Sequence, residues 1–358
     1  MKILMLVNWK VEYCDSPPED RQPPDYVENG KKYWFFRYFQ NDVDVDVVDV
    51  RSFPALEKLE KDRLRFYVWQ TLKVLPRLNQ YDVVLSHGMQ SGIVLCLWRR
   101  LFGKGRYRHI VFDIGAFNSA REEGKAMKLM QFASRSLDGV IYHTGSQKEY
   151  YRKCHPWLLG KAAFIPYGAD PDFFRAEDPW TAETPDMEKP YILCIGYSKR
   201  DWDTLLEGFS RVKTDVRLRL IGKEDIVCRD ERVQAVGFVP VTELKKQIAG
   251  SLFGVLPLKS FNYSFGQMTL LQQMAMGKAV IAADVPSLRD YMKDGETALC
   301  YPPEDAAALA DRIRTLLEQP GRRNEIGRRA AEEIRRRLNE KEMAAGIENF
   351  INQILEKK

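Results

Sequence analysis

The stretch from residue 252 to residue 284 limits what this chain can fold into. It opens with an apolar run, followed by a polar and aromatic loop, a helical pattern over residues 267–276, Gly277 and a second apolar run. This order predicts a strand, a loop, a helix and a parallel strand. Such a unit places the helix N-terminus at the carboxyl edge of the sheet, where open α/β folds bind ligands. The free N–H groups there favour an anion such as a phosphate; the alternative interpretation is a crossover loop that binds nothing.

Strand and helix patterns alternate through most of the 358 residues, which predicts an α/β protein with two doubly wound, mostly parallel sheets. An acidic and proline-rich segment without an apolar face, residues 174–190, is predicted as a linker. We therefore expect a first domain over residues 1–173 and a second over residues 191–340. Residues 341–358 carry a last amphipathic helix, predicted to cross back to the first domain. A cleft between two such domains is a common ligand site.

Composition excludes several classes of protein. The net charge of +5 permits an anionic ligand or membrane surface but does not indicate a nucleic-acid partner. Six cysteines without CxxC pairing favour reduced thiols in a cytoplasmic protein over a disulfide or zinc framework. The apolar start is too short for a signal peptide, and no apolar run is long enough to span a bilayer.

Several motifs of the second half resemble those of a large retaining family of GT-B glycosyltransferases, often called family four. They are IPYGAD at 165–170, IGYSKR at 195–200, LLEGF at 205–209, VGFVP at 236–240 and LQQMAMGKAVI at 271–281. The resemblance implies two Rossmann-like domains that face each other across a cleft. It also implies metal-independent transfer of a sugar, with retention, from a UDP- or GDP-sugar to a saccharide, lipid-linked or small-molecule acceptor, with a role in polysaccharide biosynthesis. No cofactor besides the donor substrate is expected.

The resemblance also implies a donor site. Lys199 and Arg200 would bind the diphosphate, Arg200 in a bidentate manner, because catalysis must stabilise the charge that grows on the leaving oxygen. The helix start would bind the same phosphates, Gln272 the ribose and the 236–240 segment the base. The donor-binding candidates are Gly196, Ser198, Phe238, Val239, Ser264, Gly266, Gln267, Met268, Thr269 and Gln272.

The chain departs from the family pattern at two of these positions. The usual signature has two glutamates eight positions apart, where this chain has Ser264 and Gln272. A glutamine can still bond a ribose hydroxyl, whereas a serine is too short to make the glutamate's contact with the donor sugar. The sugar, the base and the acceptor therefore stay open.

The first domain contributes two further candidates for the catalytic centre. His87 closes a predicted strand at the edge of the cleft and could contact the sugar or the acceptor; the alternative is a histidine bonded to neighbouring loop backbone. Asp113 follows the next strand and could orient the acceptor hydroxyl, or only cap its loop. The family's glycine-rich loop after the first strand is absent here.

Two basic and aromatic stretches raise the question of a membrane. One begins at Lys58 and ends at Arg77, and the other begins at Trp98 and ends at Arg108. Such faces can lie on the inner face of an anionic membrane, or their aromatic residues can pack into the domain core.

Two alternative functions stay open. A sugar-nucleotide epimerase would need carboxylates in the cleft, and a catalytically silent subunit would bind a nucleotide or a partner enzyme without transfer. A dehydrogenase is disfavoured, since no G-x-G-x-x-G follows either first strand.

Overall fold

The computed structural model describes residues 1–115, 117, 122–175, 190–261 and 263–357. The strands are β1 (Lys2–Leu6), β2 (Glu12–Cys14), β3 (Tyr26–Glu28), β4 (Asp44–Val48), β5 (Val83–His87), β6 (Arg108–Asp113), β7 (Gly139–Tyr142), β8 (Ala162–Phe164), β9 (Tyr191–Ile195), β10 (Arg217–Ile221), β11 (Val233–Val236), β12 (Gly254–Leu256), β13 (Val280–Ala283) and β14 (Leu299–Tyr301). The α-helices are α1 (Pro54–Leu59), α2 (Val68–Val74), α3 (Met89–Phe102), α4 (Lys125–Ser134), α5 (Gln147–Cys154), α6 (Trp202–Ser210), α7 (Val241–Gly250), α8 (Gln267–Ala275), α9 (Ala306–Glu318), α10 (Pro320–Arg336) and α11 (Glu340–Glu356).

In the described residues, the first sheet is parallel and has the order β4-β1-β5-β6-β7-β8. The chain turns from β1 to one side, towards β4, and later returns to the other side at β5. The strand order therefore reverses between β1 and β5, and open α/β sheets bind ligands beyond the carboxyl ends of the strands at such a point. His87 ends β5 there, and Asn8 follows β1.

The second sheet is also parallel and has the order β11-β10-β9-β12-β13-β14. Counted within the domain this is the order 3-2-1-4-5-6, which is typical of dinucleotide-binding folds. Its reversal point lies between β9 and β12. The loops after these two strands carry the IGYSKR segment and the residues that lead into α8. The predicted doubly wound α/β architecture is confirmed.

The last helix packs away from the domain that precedes it in sequence. Apolar residues of α11, among them Ile347 and Ile351, share a buried core with Ile3, Phe35 and Phe112 of the first domain. Helices α9 and α10 instead pack in the core of the second sheet. The chain thus crosses back to the first domain at Asn339, whose side chain caps α11 by accepting from the Glu342 N–H.

Tyr291 joins the two domains from a fully buried position. Its hydroxyl accepts a hydrogen bond from the backbone N–H of Tyr167 at 2.9 Å and donates to the carbonyl of His143 at 2.5 Å. Because both partners belong to the first domain, these bonds help to hold the two domains together.

Before β4 the chain forms a 3₁₀ turn at Trp34–Tyr38, whose consecutive aromatic residues Trp34, Phe35 and Phe36 are buried together. Most of the predicted linker lies outside the described residues. No described helix has the length and hydropathy required to cross a bilayer.

Candidate active site

A cavity of about 410 Å³ lies between the two domains, at the carboxyl ends of both sheets. It is lined by His87, Ile114, Tyr167, Gly196, Tyr197, Ser198, Lys199, Arg200, Ser264, Phe265, Gly266, Gln267, Met268 and Thr269. The structure therefore brings most of the sequence-predicted donor site together in one place. Asp113, Phe238, Val239 and Gln272 are the predicted residues that do not line it.

Arg200 is buried behind the loop that follows β9, with 8% of its surface exposed. Its Nε and Nη2 donate to the carbonyl of Ile195, its Nη1 to the carbonyl of Ser198 and its Nη2 to Oγ1 of Thr269. No carboxylate pairs with this guanidinium in the described part of the chain, and burial lowers its pKa. A buried cation whose partners in the described residues are all neutral, these oxygens and the thiol of Cys194, is well suited to an anionic ligand.

These contacts bear on how Arg200 can bind a diphosphate. Four of its five N–H groups donate to protein oxygens, which leaves one on Nη1. A bidentate contact with phosphate would therefore have to replace one of these bonds. Arg200 also fixes the loop's shape, since it bonds both Ile195 and Ser198 on either side of Gly196.

Gly196 must be a glycine for two reasons. Its φ of +102° is unfavourable for other residues, and a Cβ at this position would run into Nη2 of Arg200. The backbone of the loop can pass close to the guanidinium only because Gly196 has no side chain.

Helix α8 points its N-terminus into the cavity. Gly266 caps it in the left-handed conformation, φ +82°, and a Cβ there would lie 2.5 Å from Leu258. The backbone N–H groups of Gln267, Met268 and Thr269 have no hydrogen-bond partner among the described residues. They form a positively polarised end of the helix on the same wall as Arg200.

The Gln267 side chain has a separate, structural role. Its Nε2 donates to Oγ1 of Thr144 at 3.1 Å and to the carbonyl of Ser287 at 2.8 Å, so it links α8 to the first domain. The backbone N–H of this residue stays open to a ligand.

Lys199 is exposed at the mouth of the cavity and has a left-handed backbone, φ +60°. Its ammonium lies 4.7 Å from the ring centroid of Phe261 and 5.9 Å from that of Tyr263. A lysine in this conformation is strained by about 1 kcal/mol. The Lys199 ammonium is a second cation at this end of the cavity, next to Arg200 in the chain.

The segment predicted to face the base carries an exposed aromatic pair. Tyr197 and Phe238 lie edge to face, 5.2 Å apart, with 60% and 76% of their surfaces exposed. Val239 beside them is half-buried against the core of the second domain. Exposed rings next to a polar cavity offer faces on which a nucleobase can stack.

The two positions where the family pattern is broken lie differently. Ser264 lines the cavity directly and is half-buried. Gln272 is buried on α8, one helical turn beyond Thr269, and its Nε2 donates to Oε1 of Gln22 at 3.2 Å. Gln22 belongs to the first domain, and the sequence had offered no signal for this contact.

His87 is the first-domain side chain predicted for the catalytic centre that does line the cavity. Its Nδ1 lies 3.2 Å from Oδ1 of Asn8, and the edge of Trp9 packs against its ring at 4.6 Å. Burial lowers its pKa to about 3, so the imidazole is neutral at physiological pH. Its Nε2 is buried and has no hydrogen-bond partner in the described residues, so it is left as an unused acceptor.

The structure corrects the interpretation of Asp113 as a group that orients the acceptor. The side chain is fully buried, accepts from the Tyr151 hydroxyl at 2.5 Å and from the Gly115 N–H at 3.0 Å, and does not line the cavity. Burial raises its pKa. These bonds agree with the alternative interpretation, an aspartate that caps its own loop.

Sequence reasoning did not select four of the cavity residues as site candidates, Ile114, Tyr167, Tyr197 and Phe265. Tyr167 stands inside the IPYGAD motif, and its place after a strand could have indicated it. Within the described residues, no three histidine, cysteine or acidic side chains form a group that could hold a metal ion.

Comparison with known proteins agrees with this geometry. Residues 189–319 match the family model of Glycosyl transferases group 1. A phosphatidyl-myo-inositol mannosyltransferase of Mycobacterium leprae is 26% identical over 237 residues, 62% of this chain and 62% of that protein. An alpha-D-kanosaminyltransferase of Streptomyces kanamyceticus is 28% identical over 132 residues, 37% of this chain and 32% of that protein. The chain thus spans less than two thirds of each of these relatives.

Solved structures resemble the whole chain. Sucrose-phosphate synthase from Thermosynechococcus elongatus has a TM-score of 0.73 at 17% identity, with 99% of both chains covered. Anabaena HepE in complex with UDP-glucose has a TM-score of 0.68 at 14% identity, with 100% of both chains covered. At these identities the likeness establishes the fold, two Rossmann-like domains on either side of a cleft.

The predicted GT-B fold is confirmed: two Rossmann-like domains lie on either side of a cleft. The match of residues 189–319 to the glycosyl transferases group 1 model agrees with the resemblance that the sequence motifs indicated.

Proposed function

We propose that this chain transfers a sugar from a UDP- or GDP-sugar to an acceptor hydroxyl. The observation that carries the proposal is the wall of the cavity at which buried Arg200 and the free N-terminus of α8 meet. Thr269 belongs to both features, because its hydroxyl accepts from Arg200 and its backbone N–H is free. A guanidinium and free helix N–H groups on one wall are well suited to bind the oxygens of a diphosphate.

The chemistry follows from the charge. Breaking the bond between a sugar and a diphosphate leaves negative charge on the leaving oxygen, and groups that bind this charge more strongly as it grows accelerate the step. Arg200, Lys199 and the N–H groups of Gln267, Met268 and Thr269 would supply that stabilisation. We propose that transfer proceeds with retention and without a metal, and that a leaving phosphate oxygen accepts the acceptor's proton.

His87 would contact the donor sugar or the acceptor. A neutral imidazole cannot neutralise charge, but Nε2 can accept a hydrogen bond and so orient a hydroxyl. Asn8 and Trp9 would hold the ring in place.

The relatives suggest which donors to test first. One relative is a mannosyltransferase, and HepE was solved with UDP-glucose. We therefore propose UDP-glucose and GDP-mannose as first donors. Saccharides and lipid-linked saccharides would be the first acceptors, with polysaccharide biosynthesis as the expected setting.

The test is calorimetric titration of the full chain with UDP, GDP and their sugar conjugates, with a chelator present. We expect saturable binding of one nucleotide, weakened at least tenfold in Arg200→Ala, since a hydrogen bond to a charged group contributes about 1.5–3 kcal/mol. Arg211→Ala, which removes an exposed arginine on the second domain, is the matched control. No binding of any nucleotide would refute the proposal.

Activity and stereochemistry need a second experiment. Incubation of the chain with the bound donor and an acceptor panel should give a product whose anomeric configuration, read by NMR, equals that of the donor sugar. Tight nucleotide binding without transfer would instead indicate the silent subunit, which the serine at position 264 would favour. An epimerase is disfavoured, since none of the described residues that line the cavity is an aspartate or glutamate.

We also propose contact with an anionic membrane at the end of α3. Trp98, Leu101 and Phe102 are 38%, 68% and 69% exposed beside Arg100 and Lys104, a composition typical of surfaces that lie on lipid. In the stretch that begins at Lys58, by contrast, Phe66 packs against a buried core and Trp69 is half-buried. The chain should sediment with phosphatidylglycerol vesicles but not with phosphatidylcholine vesicles, Leu101→Ser should weaken this, and Val227→Ser, which changes another exposed apolar residue, should not.

A further inference from the structure

A loop of the first domain reaches across the cleft to the second. It runs from the end of β2 to the start of β3, residues 15–25, and we call it the β2–β3 loop. Its base is held by Pro24, whose carbonyl accepts from Trp9 Nε1 at 3.2 Å and from the Tyr33 hydroxyl at 2.8 Å. Its far side contacts the second domain twice, at Gln272 through the Gln22 side chain and at the N–H of Val241 through the Asp20 carbonyl, 3.5 Å away.

Both contacts lie beside segments that the proposed function assigns to the nucleoside of a donor. Thr269 lines the cavity, and Gln272 is one turn further along the same face of α8. Val241 begins α7 directly after the Phe238 to Pro240 segment that carries the exposed ring. The β2–β3 loop therefore covers the same corner of the cleft from the opposite domain.

We propose that Gln22 is a donor-binding residue, and that with Gln272 it forms a two-domain receptor for the ribose diol. This inference rests on the proposed function, because it needs a ribonucleotide in the cleft. A vicinal diol presents two O–H donors, and a carboxylate has two oxygens to accept them. The carboxamide of Gln272 has only one acceptor oxygen, so the second must come from elsewhere.

Gln22 supplies that second acceptor. Its Oε1 already lies 3.2 Å from Gln272 Nε2, so the two carboxamides are within reach of one small group. In the described part of the chain, Gln22 Nε2 and Gln272 Oε1 make no hydrogen bond, so both are available to a ligand. The pair thus offers an acceptor from each domain to the two O–H groups, with Gln22 Nε2 left to donate to a ribose oxygen.

The experiment compares the nucleotide that the wild type binds, UDP or GDP, with its 2′-deoxy analogue. In the wild type the ribonucleotide should bind more tightly. Gln22→Ala should weaken ribonucleotide binding about 3- to 10-fold, the value of one neutral hydrogen bond, and change binding of the deoxy analogue by less than about twofold. Gln22→Glu keeps the acceptor oxygens, so it should keep the ratio between the two nucleotides even if its charge weakens both.

A second background makes the test specific. Gln272→Glu restores two acceptor oxygens on α8, and in this background Gln22→Ala should have little effect on the ratio. Gln353→Ala, an exposed glutamine on α11, is the control, and a thermal melt of each variant checks folding.

The outcomes separate the two proposals. If the wild type binds a nucleotide and Gln22→Ala binds both analogues as the wild type does, the assignment of Gln22 is wrong while the proposed function stands. An equal loss with both analogues, or the same loss in the Gln272→Glu background, would also overturn it. If the wild type binds neither UDP nor GDP, both proposals fall together.

Discussion

Nη2 of Arg200 lies 3.1 Å from Oγ1 of Thr269, and this hydrogen bond joins the loop after β9 to the first turn of α8. Because the two elements carry the cation and the free N–H groups of the proposed diphosphate site, the bond sets their relative position. The two residues are 69 positions apart in the sequence, so only the fold brings them together.

Thr269→Val should therefore weaken nucleotide binding while it changes the fold little. The valine has no hydroxyl and leaves an Arg200 N–H without its oxygen, so the guanidinium loses one of its restraints. We expect a loss of about 3- to 10-fold in affinity, measured by calorimetry. Thr269→Ser keeps the hydroxyl and should bind nearly as the wild type does; equal losses in both variants would contradict this explanation.

Gly196→Ala adds a single methyl group but should lower both the stability of the fold and nucleotide binding. The new Cβ collides with Nη2 of Arg200, and the φ of +102° is unfavourable for alanine. We expect a loss of about 2 kcal/mol in the free energy of unfolding, together with loss of nucleotide binding. Denaturant melts and calorimetry measure the two effects.

Gly160→Ala is the control for this substitution. No atom lies within 4 Å of the Cβ position there, so the free energy of unfolding should change by less than about 0.5 kcal/mol. If Gly196→Ala bound nucleotide as tightly as this control, the role of the loop would be wrong.

Lys199 allows stability and binding to be separated. Lys199→Gly removes the ammonium but relieves the left-handed strain, and this gain of about 1 kcal/mol offsets the lost contact with Phe261. Affinity should fall about tenfold while the free energy of unfolding stays near that of the wild type. Lys199→Ala should lose the same affinity and be less stable than Lys199→Gly, because it keeps the strained backbone without the cation.

Acid should destabilise the fold through its histidines. Burial lowers the pKa of each of the four, to about 3 for His87 and His109 and about 4 for His143 and His155. Unfolded histidines titrate near about 6.5, so between about pH 4 and 6.5 the unfolded state binds more protons and stability rises with pH. Unfolding in denaturant at several pH values should show at least about 2 kcal/mol lost between pH 6.5 and 5.

His155 gives the variant that tests this assignment. Neither of its ring nitrogens has a partner among the described residues, and its ring packs against Phe117 and Trp157. His155→Phe should therefore fold and show a shallower loss of stability in acid. If the loss of stability with falling pH is unchanged in His155→Phe, this histidine is not one of its sources.

Glu340 acts in the opposite direction. Burial raises its pKa to about 7, so its protonation below that value stabilises the native state.

Much of the fold, and the cavity wall formed by Arg200 and the start of α8, could be predicted from the sequence because the sequence patterns that indicate them are local. Buried parallel strands appear in the sequence as short apolar runs. Gly266 marks the start of α8 as its cap, and Gly277 marks its end. Parallel strands align their carboxyl ends, so the loops that hold Arg200 and Gly266 had to meet once both were assigned to one sheet.

The tertiary structure alone decided the contacts between distant segments. Whether Asp113 faced the cleft depended on Tyr151 as a buried partner, and the pairing of Gln272 with Gln22 joins residues 250 positions apart. The orientation and hydrogen bonding of the His87 ring depended in the same way on Asn8 and Trp9, which contact it. A side chain's hydrogen bonds and burial are set by whatever packs against it, and local periodicity carries no information about those neighbours.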